Sequence, residues 1–267
     1  LYVAKIDWLL FIAMMLACLA LQIATNLFNE YYDFKRGLDT AESVGIGGGI
    51  VRHGLKPKNV LTVALLLYVV AAFIGIYICM NSSWWLVVIG LIGMAVGYLY
   101  TGGPLPIAYT PFGELVSGLL MGTCFVLIAF FIQTNTVTIE SVLISIPIGI
   151  LVGAINMSNN IRDIEEDIKG GRKTLVILLG REKAVVTLAV AFFIAYLWIA
   201  VIVLMGYISP WALVMFLGLR KPISAIQSFQ KGAKDPGYMR IAMKSTAMTN
   251  TIFGFLLSAG LLISYLF

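Results

Sequence analysis

Two polar segments of this sequence carry side chains whose types and spacing could do chemistry. In the first, Asn29 and Asp33 are four residues apart, and Glu30 lies beside Asn29. Residues four apart share one face of an α-helix. Gly37 marks the expected end of that helix, and Asp39 follows it. The segment therefore predicts a cluster of oxygen-bearing side chains at a helix end.

The second segment repeats this spacing. Asn159, Asp163 and Asp167 are each four residues apart, so they form one polar stripe where a helix ends. Carboxylate and amide oxygens are the ligands that Mg²⁺ prefers, and this ion often shares its coordination shell with substrate phosphates. The two segments therefore predict a Mg²⁺ site for a phosphate-bearing substrate. The predicted metal ligands are Asn29, Glu30, Asp33, Asp39, Asn159, Asp163 and Asp167.

Basic side chains accompany the acidic segments and could neutralise a diphosphate. The residues predicted to bind it are Lys35, Arg52, Arg162, Arg172 and Lys173. Basic residues are also expected in cytoplasmic loops for topological reasons alone, whereas acidic residues near a membrane are costly unless they are used. His53 is the only histidine and no cysteine lies near it, so there is little support for a zinc or haem site.

The elements that must position these residues are predicted to lie in a membrane. Of the 267 residues, 60% are hydrophobic and 12% are charged, and the mean hydropathy is +0.97, which is far outside the range of soluble globular chains. Apolar stretches that could cross about 30 Å of hydrocarbon lie near residues 7–28, 60–80, 84–101, 113–133, 138–158, 184–206, 208–229 and 241–266. Arg220, Lys221 and Pro222 predict a kink or an interfacial second half in the seventh. We therefore expect an all-α, polytopic transmembrane bundle that forms one domain over residues 1–267.

The Lys and Arg residues indicate which loops face the cytoplasm. Residues 34–59, 159–183 and 220–244 hold every Lys and Arg except Lys5, so both acidic segments are predicted on the cytoplasmic side. An even number of spans would leave both chain ends outside, and the sequence begins without Met or a signal-peptide pattern. We therefore expect a further helix to precede Leu1.

The two acidic segments resemble the paired aspartate-rich motifs of the UbiA-type family of intramembrane aromatic prenyltransferases, which take forms such as NDxxDxxxD and DxxxD. Asn29, Glu30 and Asp33 match the start of the first motif, with Glu in place of the usual Asp. Asp163 and Asp167 match the second. The resemblance implies a bundle of nine helices, a Mg²⁺ cofactor, and transfer of a prenyl group from a polyprenyl diphosphate to an aromatic acceptor.

Within this family, the sequence is most similar to members whose acceptor is a dihydroxynaphthoate. The matching stretches are residues 35–39, 98–106 with 113–115, and 159–181. The resemblance implies loss of the acceptor's carboxylate as CO₂ and release of diphosphate, at the cytoplasmic face of a bacterial membrane. The predicted catalytic residues are Asp33, Tyr100, Asp163 and Asp167.

Further features near these segments allow more than one interpretation. Tyr98 and Tyr100 close a predicted helix, where they could stabilise an allylic cation or belong to the interfacial aromatic belt. Glu114 could contact a substrate or interact with a helix start. The glycine-rich residues 45–49 lack the flanking strand and the Lys of a nucleotide-binding loop. They could instead form a mobile lid that carries Arg52.

Two other functions remain open from the sequence. A many-helix membrane protein with a net charge of +5 and acidic residues near the membrane could be a transporter, although its polar residues cluster at one membrane face instead of the midplane. An enzyme of the same family could also act on 4-hydroxybenzoate or on a chlorophyll or haem precursor. Membrane lipid is an expected partner of the chain, and nucleic acid is not.

Overall fold

The structure, a computed structural model, describes residues 6–38, 48–232 and 235–266. Every regular element in these ranges is a helix. In chain order the helices are α1 (Trp8–Lys35), α2 (Pro57–Asn81), α3 (Trp85–Leu99), α4 (Gly113–Thr134), α5 (Ile139–Arg162), α6 (Ile164–Lys169), α7 (Leu175–Leu179), α8 (Arg181–Leu204), α9 (Arg220–Lys231) and α10 (Pro236–Leu266). Short 3₁₀ segments cover Ile107–Tyr109 and Pro210–Gly218.

The prediction of an all-α transmembrane bundle is confirmed. Six helices, α1, α2, α4, α5, α8 and α10, are long and apolar enough to cross a membrane. The predicted third span is the shorter α3, whose 15 residues extend about 22 Å at 1.5 Å per residue. The predicted seventh span is the 3₁₀ segment Pro210–Gly218 followed by α9, and the helix type changes immediately before Arg220, close to the predicted kink.

The seventh predicted span runs antiparallel along α10. A Cβ added to Gly260, near the end of α10, would clash with the carbonyl oxygen of Trp211 at the start of the 3₁₀ segment. Further along, Ser224 Oγ of α9 lies 3.2 Å from Ser245 Oγ of α10. Positions later in the 3₁₀ segment and α9 contact positions earlier in α10. The 3₁₀ segment and α9 together therefore follow most of the length of α10.

Glycine residues bring α4 and α5 into backbone contact. A Cβ added to Gly118 would lie 2.5 Å from the carbonyl oxygen of Gly149, and one added to Gly153 would lie 2.8 Å from that of Glu114. Small residues of this kind allow membrane helices to approach closely. The part of α4 at this contact, Gly118–Cys124, is π-helical. The contact holds the first turn of α4 against the last turns of α5, which carry polar side chains.

Both acidic segments lie at helix ends, as the sequence predicts. α1 ends at Lys35, and Gly37 follows with a φ of 72°, a value that favours glycine. α5 ends at Arg162, and Asp167 lies on the separate helix α6. The backbone N–H of Asp167 still donates to the carbonyl oxygen of Asp163, at 2.9 Å. The predicted single stripe therefore bends at Asp163 and continues onto a second helix.

The outer surface of the bundle is apolar. Phe73 of α2, Phe193 of α8 and Phe255 of α10 are all largely exposed. Such aromatic and aliphatic side chains are stable against lipid tails and unfavourable in water. The polar helix ends are therefore the part of the molecule where charged chemistry can take place.

Candidate functional site

Arg172 joins the two acidic segments. Its Nη2 donates to Asp33 Oδ1 at 2.8 Å, and its Nη1 donates to Asp167 Oδ1 at 2.9 Å. The guanidinium also lies over the ring of Tyr109, 5.3 Å from the ring centroid. Asp33 and Arg172 are 139 residues apart in the sequence. The loop that follows α6 therefore brings the end of α1 and the second motif into one site.

A second arginine neutralises the third carboxylate of this site. Arg162 Nε and Nη2 donate to the two oxygens of Asp163 at 2.6 and 2.5 Å. Forked pairs of this kind are strong and hold the carboxylate in one orientation. Asp163 also acts electrostatically on Asp33 and Asp167, so the three carboxylates lie in one neighbourhood. The three carboxylates and the two arginines paired with them carry a net charge of −1.

Asp167 is the carboxylate whose burial is most complete. Its side chain is 5% exposed, and Oδ2 has no hydrogen-bond partner among the described residues. The pKa of Asp167 is raised to about 6: burial is the largest cause, Arg172 opposes it, and the carboxylates of Asp163 and Asp33 add to it. A buried carboxylate with a raised pKa is unstable as an anion. A cation bound beside Oδ2 would stabilise its ionised form.

A second polar cluster lies beside this site, between α4 and α5. Asn156 Nδ2 donates to the hydroxyl oxygen of Tyr100 at 2.7 Å. Asn160 Nδ2 donates to Glu114 Oε1 at 2.8 Å. Glu114, Asp167 and Arg172 all act electrostatically on Tyr100, which places the cluster next to the acidic site.

The sequence of the chain decides its family. Residues 2–236 match the UbiA prenyltransferase family. The chain belongs to this family. It is therefore an integral membrane prenyltransferase, and the transporter alternative loses its support. The match covers both acidic segments and every residue of the two polar clusters.

Two relatives are similar over nearly the whole chain. The 1,4-dihydroxy-2-naphthoate octaprenyltransferase of Bacillus subtilis (strain 168) is 66% identical over 264 residues, which are 99% of this chain and 85% of that protein. The protein of the same name from Haemophilus influenzae is 29% identical over 263 residues, 96% of this chain and 84% of that protein. The apo structure of a UbiA homolog from Aeropyrum pernix K1 superposes with a TM-score of 0.69 at 15% identity, covering 95% of this chain and 89% of that one. That structure supports the fold alone.

Glu30 and Asn29, two further predicted ligands of the UbiA motifs, accept hydrogen bonds from other residues. Glu30 Oε2 and Oε1 accept from the backbone N–H groups of Gly48 and Ile50, at 2.8 and 2.9 Å, so this carboxylate holds the glycine-rich loop. Asn29 Oδ1 accepts from Thr101 Oγ1 at 2.7 Å. Asn159 lies one helical turn before Asp163, and its carbonyl oxygen accepts from that residue's N–H. Asp39 and residues 45–47 of the proposed lid lie outside the described residues.

The predicted diphosphate-binding residues divide into two groups. Arg162 and Arg172 lie in the site, paired with its carboxylates. Lys35 and Lys173 are exposed: the Lys35 amino group is 5.9 Å from the ring centroid of Tyr31, and Lys173 follows Arg172. Arg52 packs against Gly48, whose N–H donates to Glu30. Arg172 Nε is buried and has no hydrogen-bond partner among the described residues, so it keeps a donor for an anion.

Arg36 lies next to the site, and the sequence did not predict its contacts. Its guanidinium donates to the carbonyl oxygens of Thr101 and Gly103, the latter at 3.0 Å. It also lies 5.3 Å from the ring centroids of Tyr32 and Tyr109. These contacts fasten the turn after α3 to the end of α1. The neighbouring Lys35 has the same charge, and only the tertiary contacts distinguish the two.

The donor set of the site suits a Mg²⁺ ion bound together with a substrate. Within the described ranges, no three His, Cys, Asp or Glu side chains form a ready metal cage. Mg²⁺ is commonly held by one or two carboxylates and completes its shell with waters and substrate phosphates. Asp167 Oδ2, buried and without a partner among the described residues, is an available oxygen ligand of the required kind.

Proposed function

We propose that this chain transfers a polyprenyl group from an allylic polyprenyl diphosphate to 1,4-dihydroxy-2-naphthoate, with loss of CO₂ and diphosphate. The product would be demethylmenaquinol, an intermediate of menaquinone biosynthesis. The observation that carries this proposal is the 66% identity, over 99% of the chain, to the Bacillus subtilis 1,4-dihydroxy-2-naphthoate octaprenyltransferase. The meeting of both acidic motifs at Arg172 supports a diphosphate site.

The diphosphate would bind between the end of α1 and the segment from Asp163 to Arg172. Asp33, Asp163 and Asp167 would hold Mg²⁺, with Asn29 and Asn159 close to them. When bound, Mg²⁺ supplies charge neutralisation for the oxygens of the leaving diphosphate. Each carboxylate that turns to a cation frees hydrogen-bond donors of its arginine partner. Arg172 can then donate to the diphosphate through its fork and through Nε.

The proposed reaction breaks an allylic C–O bond and the bond to the acceptor's carboxylate, and it forms one new C–C bond. The allylic C–O bond breaks and its electron pair leaves with the diphosphate. A ring carbon of the electron-rich naphthoate supplies the pair for the new C–C bond. The carboxylate leaves as CO₂ and returns its pair to the ring, and a proton shift completes the quinol. Tyr100, in the cluster beside the acidic site, can present its aromatic ring to the allylic cation.

We place the enzyme in the bacterial cytoplasmic membrane with this site on the cytoplasmic side. The support comes from the basic residues, because short cytoplasmic loops carry an excess of Lys and Arg. Residues 34–59, 159–183 and 220–244, at one end of the helices, hold every Lys and Arg except Lys5, and the loops near 81–83 and 134–137 hold none. The acidic site lies at the basic end of the bundle.

The direct test is prenyl transfer by the purified enzyme in detergent. Radiolabelled polyprenyl diphosphate would be supplied with 1,4-dihydroxy-2-naphthoate or with 4-hydroxybenzoate, with and without Mg²⁺. We expect labelling of the naphthoate alone, and only when Mg²⁺ is present. Labelling of 4-hydroxybenzoate instead would identify that compound as the acceptor and leave prenyl transfer as the reaction. Absence of transfer to either acceptor by a folded enzyme would overturn the proposal.

The raised pKa of Asp167 predicts a dependence of Mg²⁺ affinity on pH. Protons compete with the cation below the pKa of about 6. The apparent Mg²⁺ affinity at pH 5, one unit below this pKa, should therefore be about tenfold weaker than at neutral pH. The Mg²⁺-free protein should show the opposite trend. Its folded pKa exceeds the ordinary value of 3.8, so this group stabilises the fold most at low pH, and the gain is lost as the pH rises through 6.

Both trends can be read from thermal unfolding in detergent. Titrations with Mg²⁺ in the absence of diphosphate exclude protonation of the substrate as a cause. A Mg²⁺ affinity that stays constant between pH 7 and pH 5 would contradict the assignment of Asp167 as a ligand.

A further inference from the structure

Glu114 is a buried residue whose carboxyl group accepts a hydrogen bond from another described residue through only one of its two oxygens. It is 7% exposed. Oε1 accepts from Asn160 Nδ2 at 2.8 Å, and Oε2 forms no hydrogen bond to another residue that the structure describes. A buried oxygen of this kind costs free energy unless a donor reaches it. Oε2 is therefore an acceptor available to a ligand.

Tyr100 places a donor next to this acceptor. Its hydroxyl oxygen accepts from Asn156 Nδ2, which leaves the hydroxyl hydrogen for another group. The hydroxyl approaches the first turn of α4 at a glycine: a Cβ added to Gly113 would lie 3.2 Å from it. Gly113 precedes Glu114, and the Glu114 carboxyl group acts electrostatically on Tyr100, so the two groups belong to one cluster. Two asparagines one helical turn apart on α5 hold them in place.

This pair lies deeper in the bundle than the acidic site, at a depth that suits an acceptor ring. On α5, Asn160 and Asn156 precede Asp163 by three and seven residues, which is about 5 and 10 Å along the helix. The pair is therefore one to two turns deeper in the bundle than the acidic site. The carbon that is attacked is bonded to the diphosphate, so the reacting ring atom must approach to about 3–3.5 Å from that carbon.

We propose that Glu114 and Tyr100 bind the oxygens of the aromatic acceptor. Glu114 Oε2 accepts from a ring hydroxyl, and the Tyr100 hydroxyl donates to a ring oxygen. This inference rests on the proposed function and adds to it the residues that recognise the acceptor. A bond from the ring hydroxyl to a carboxylate pushes electron density into the ring during attack. A ring without that hydroxyl leaves the buried carboxyl oxygen unpaired, which selects against it.

The first test uses the wild-type enzyme and three acceptors. These are 1,4-dihydroxy-2-naphthoate and its two monomethyl ethers, methylated on the oxygen at C1 or at C4. An ether oxygen still donates electrons to the ring and cannot donate a hydrogen bond. We expect one ether to lose about 10²-fold or more in kcat/KM. Equal transfer to all three acceptors would overturn the inference and leave the proposed function intact.

The second test separates hydrogen bonding from the bulk of the methyl group. Glu114→Gln keeps the shape of the side chain, and its amide oxygen can still accept from Asn160. Its NH₂ group then replaces Oε2, so a donor faces the ring hydroxyl. We expect a loss of about 10²-fold in kcat/KM for the parent acceptor. The ratio between the parent and the sensitive ether should fall towards one, while the affinity for polyprenyl diphosphate with Mg²⁺ stays unchanged.

Several outcomes would decide against the inference. A ratio between parent and ether that is as large in Glu114→Gln as in the wild type would show that bulk alone sets it. A loss of diphosphate affinity as large as the loss in kcat/KM for the acceptor would show that Glu114 has a structural role. Glu165→Gln, at an exposed carboxylate paired with Arg181, is the matched control and should leave both readouts unchanged. If Glu114→Gln fails to fold, Tyr100→Phe removes the donor alone and should raise the KM of the acceptor without weakening diphosphate binding.

Discussion

Asp167→Asn is expected to lower the rate of prenyl transfer by about 10³-fold, because it removes a charged oxygen that would bind Mg²⁺ at the leaving group. Asn has nearly the same shape, and its amide oxygen can still accept from Arg172 Nη1. Oδ2, the buried oxygen without a partner among the described residues, becomes an NH₂ group. The measurement is the single-turnover rate with radiolabelled prenyl diphosphate at saturating Mg²⁺.

The control for this change lies on the same short helix. Glu165 is 61% exposed, and its oxygens accept from Arg181, so Glu165→Gln changes the charge of α6 by the same amount outside the site. It should keep nearly full activity. Equal activity of Asp167→Asn and the wild type, in protein with an unchanged unfolding temperature, would remove Asp167 from the catalytic residues. The same comparison applies to Asp33→Asn at the end of α1.

Arg172→Met should destabilise the Mg²⁺-free protein by about 3 kcal/mol, since removing one partner leaves buried carboxylates uncompensated. Arg172 is 13% exposed and pairs with Asp33 and Asp167, which are 19% and 5% exposed. The variant should also lose prenyl transfer, by about 10²-fold, because the diphosphate loses its donors. Thermal unfolding in detergent and the transfer assay measure the two effects.

Addition of Mg²⁺ separates this interpretation from a general loss of packing. A cation that binds the same carboxylates should raise the unfolding temperature of Arg172→Met more than that of the wild type, where Arg172 already neutralises them. Lys169→Met removes an equal charge at an exposed position of α6 and should show neither effect. A variant that is destabilised to the same extent with and without Mg²⁺ would argue against a shared cation site.

Local features of the site could be predicted because they depend on short stretches of sequence. The spacing of Asn29 and Asp33 and of Asn159 and Asp163 indicates shared helix faces, since the helical repeat is a property of the backbone. Gly37 indicates the end of α1 because its positive φ is costly for other residues. Apolar stretches longer than the bilayer core predict spans for the same kind of local reason.

Partners across the bundle could not be predicted in this way. Glu30 matches a metal-binding motif, and its two oxygens accept from the backbone of Gly48 and Ile50. Glu114 could be a helix-start residue or a substrate contact from the sequence, and the structure brings it to Asn160 of α5. That pairing depends on the glycine contact between the two helices.

The sequence by itself thus determined the membrane class, the approximate helices, the two acidic motifs and the family of this protein. The first three follow from composition and from repeats of three to four residues, which any stretch of chain carries with it. The family follows from the match of residues 2–236 to the UbiA prenyltransferase family. The tertiary structure alone decided that Arg172 joins Asp33 to Asp167, that the stripe bends at Asp163 and that Glu114 is buried. Such contacts depend on how close each pair of helices packs and in which register, and these are properties of all the helices together.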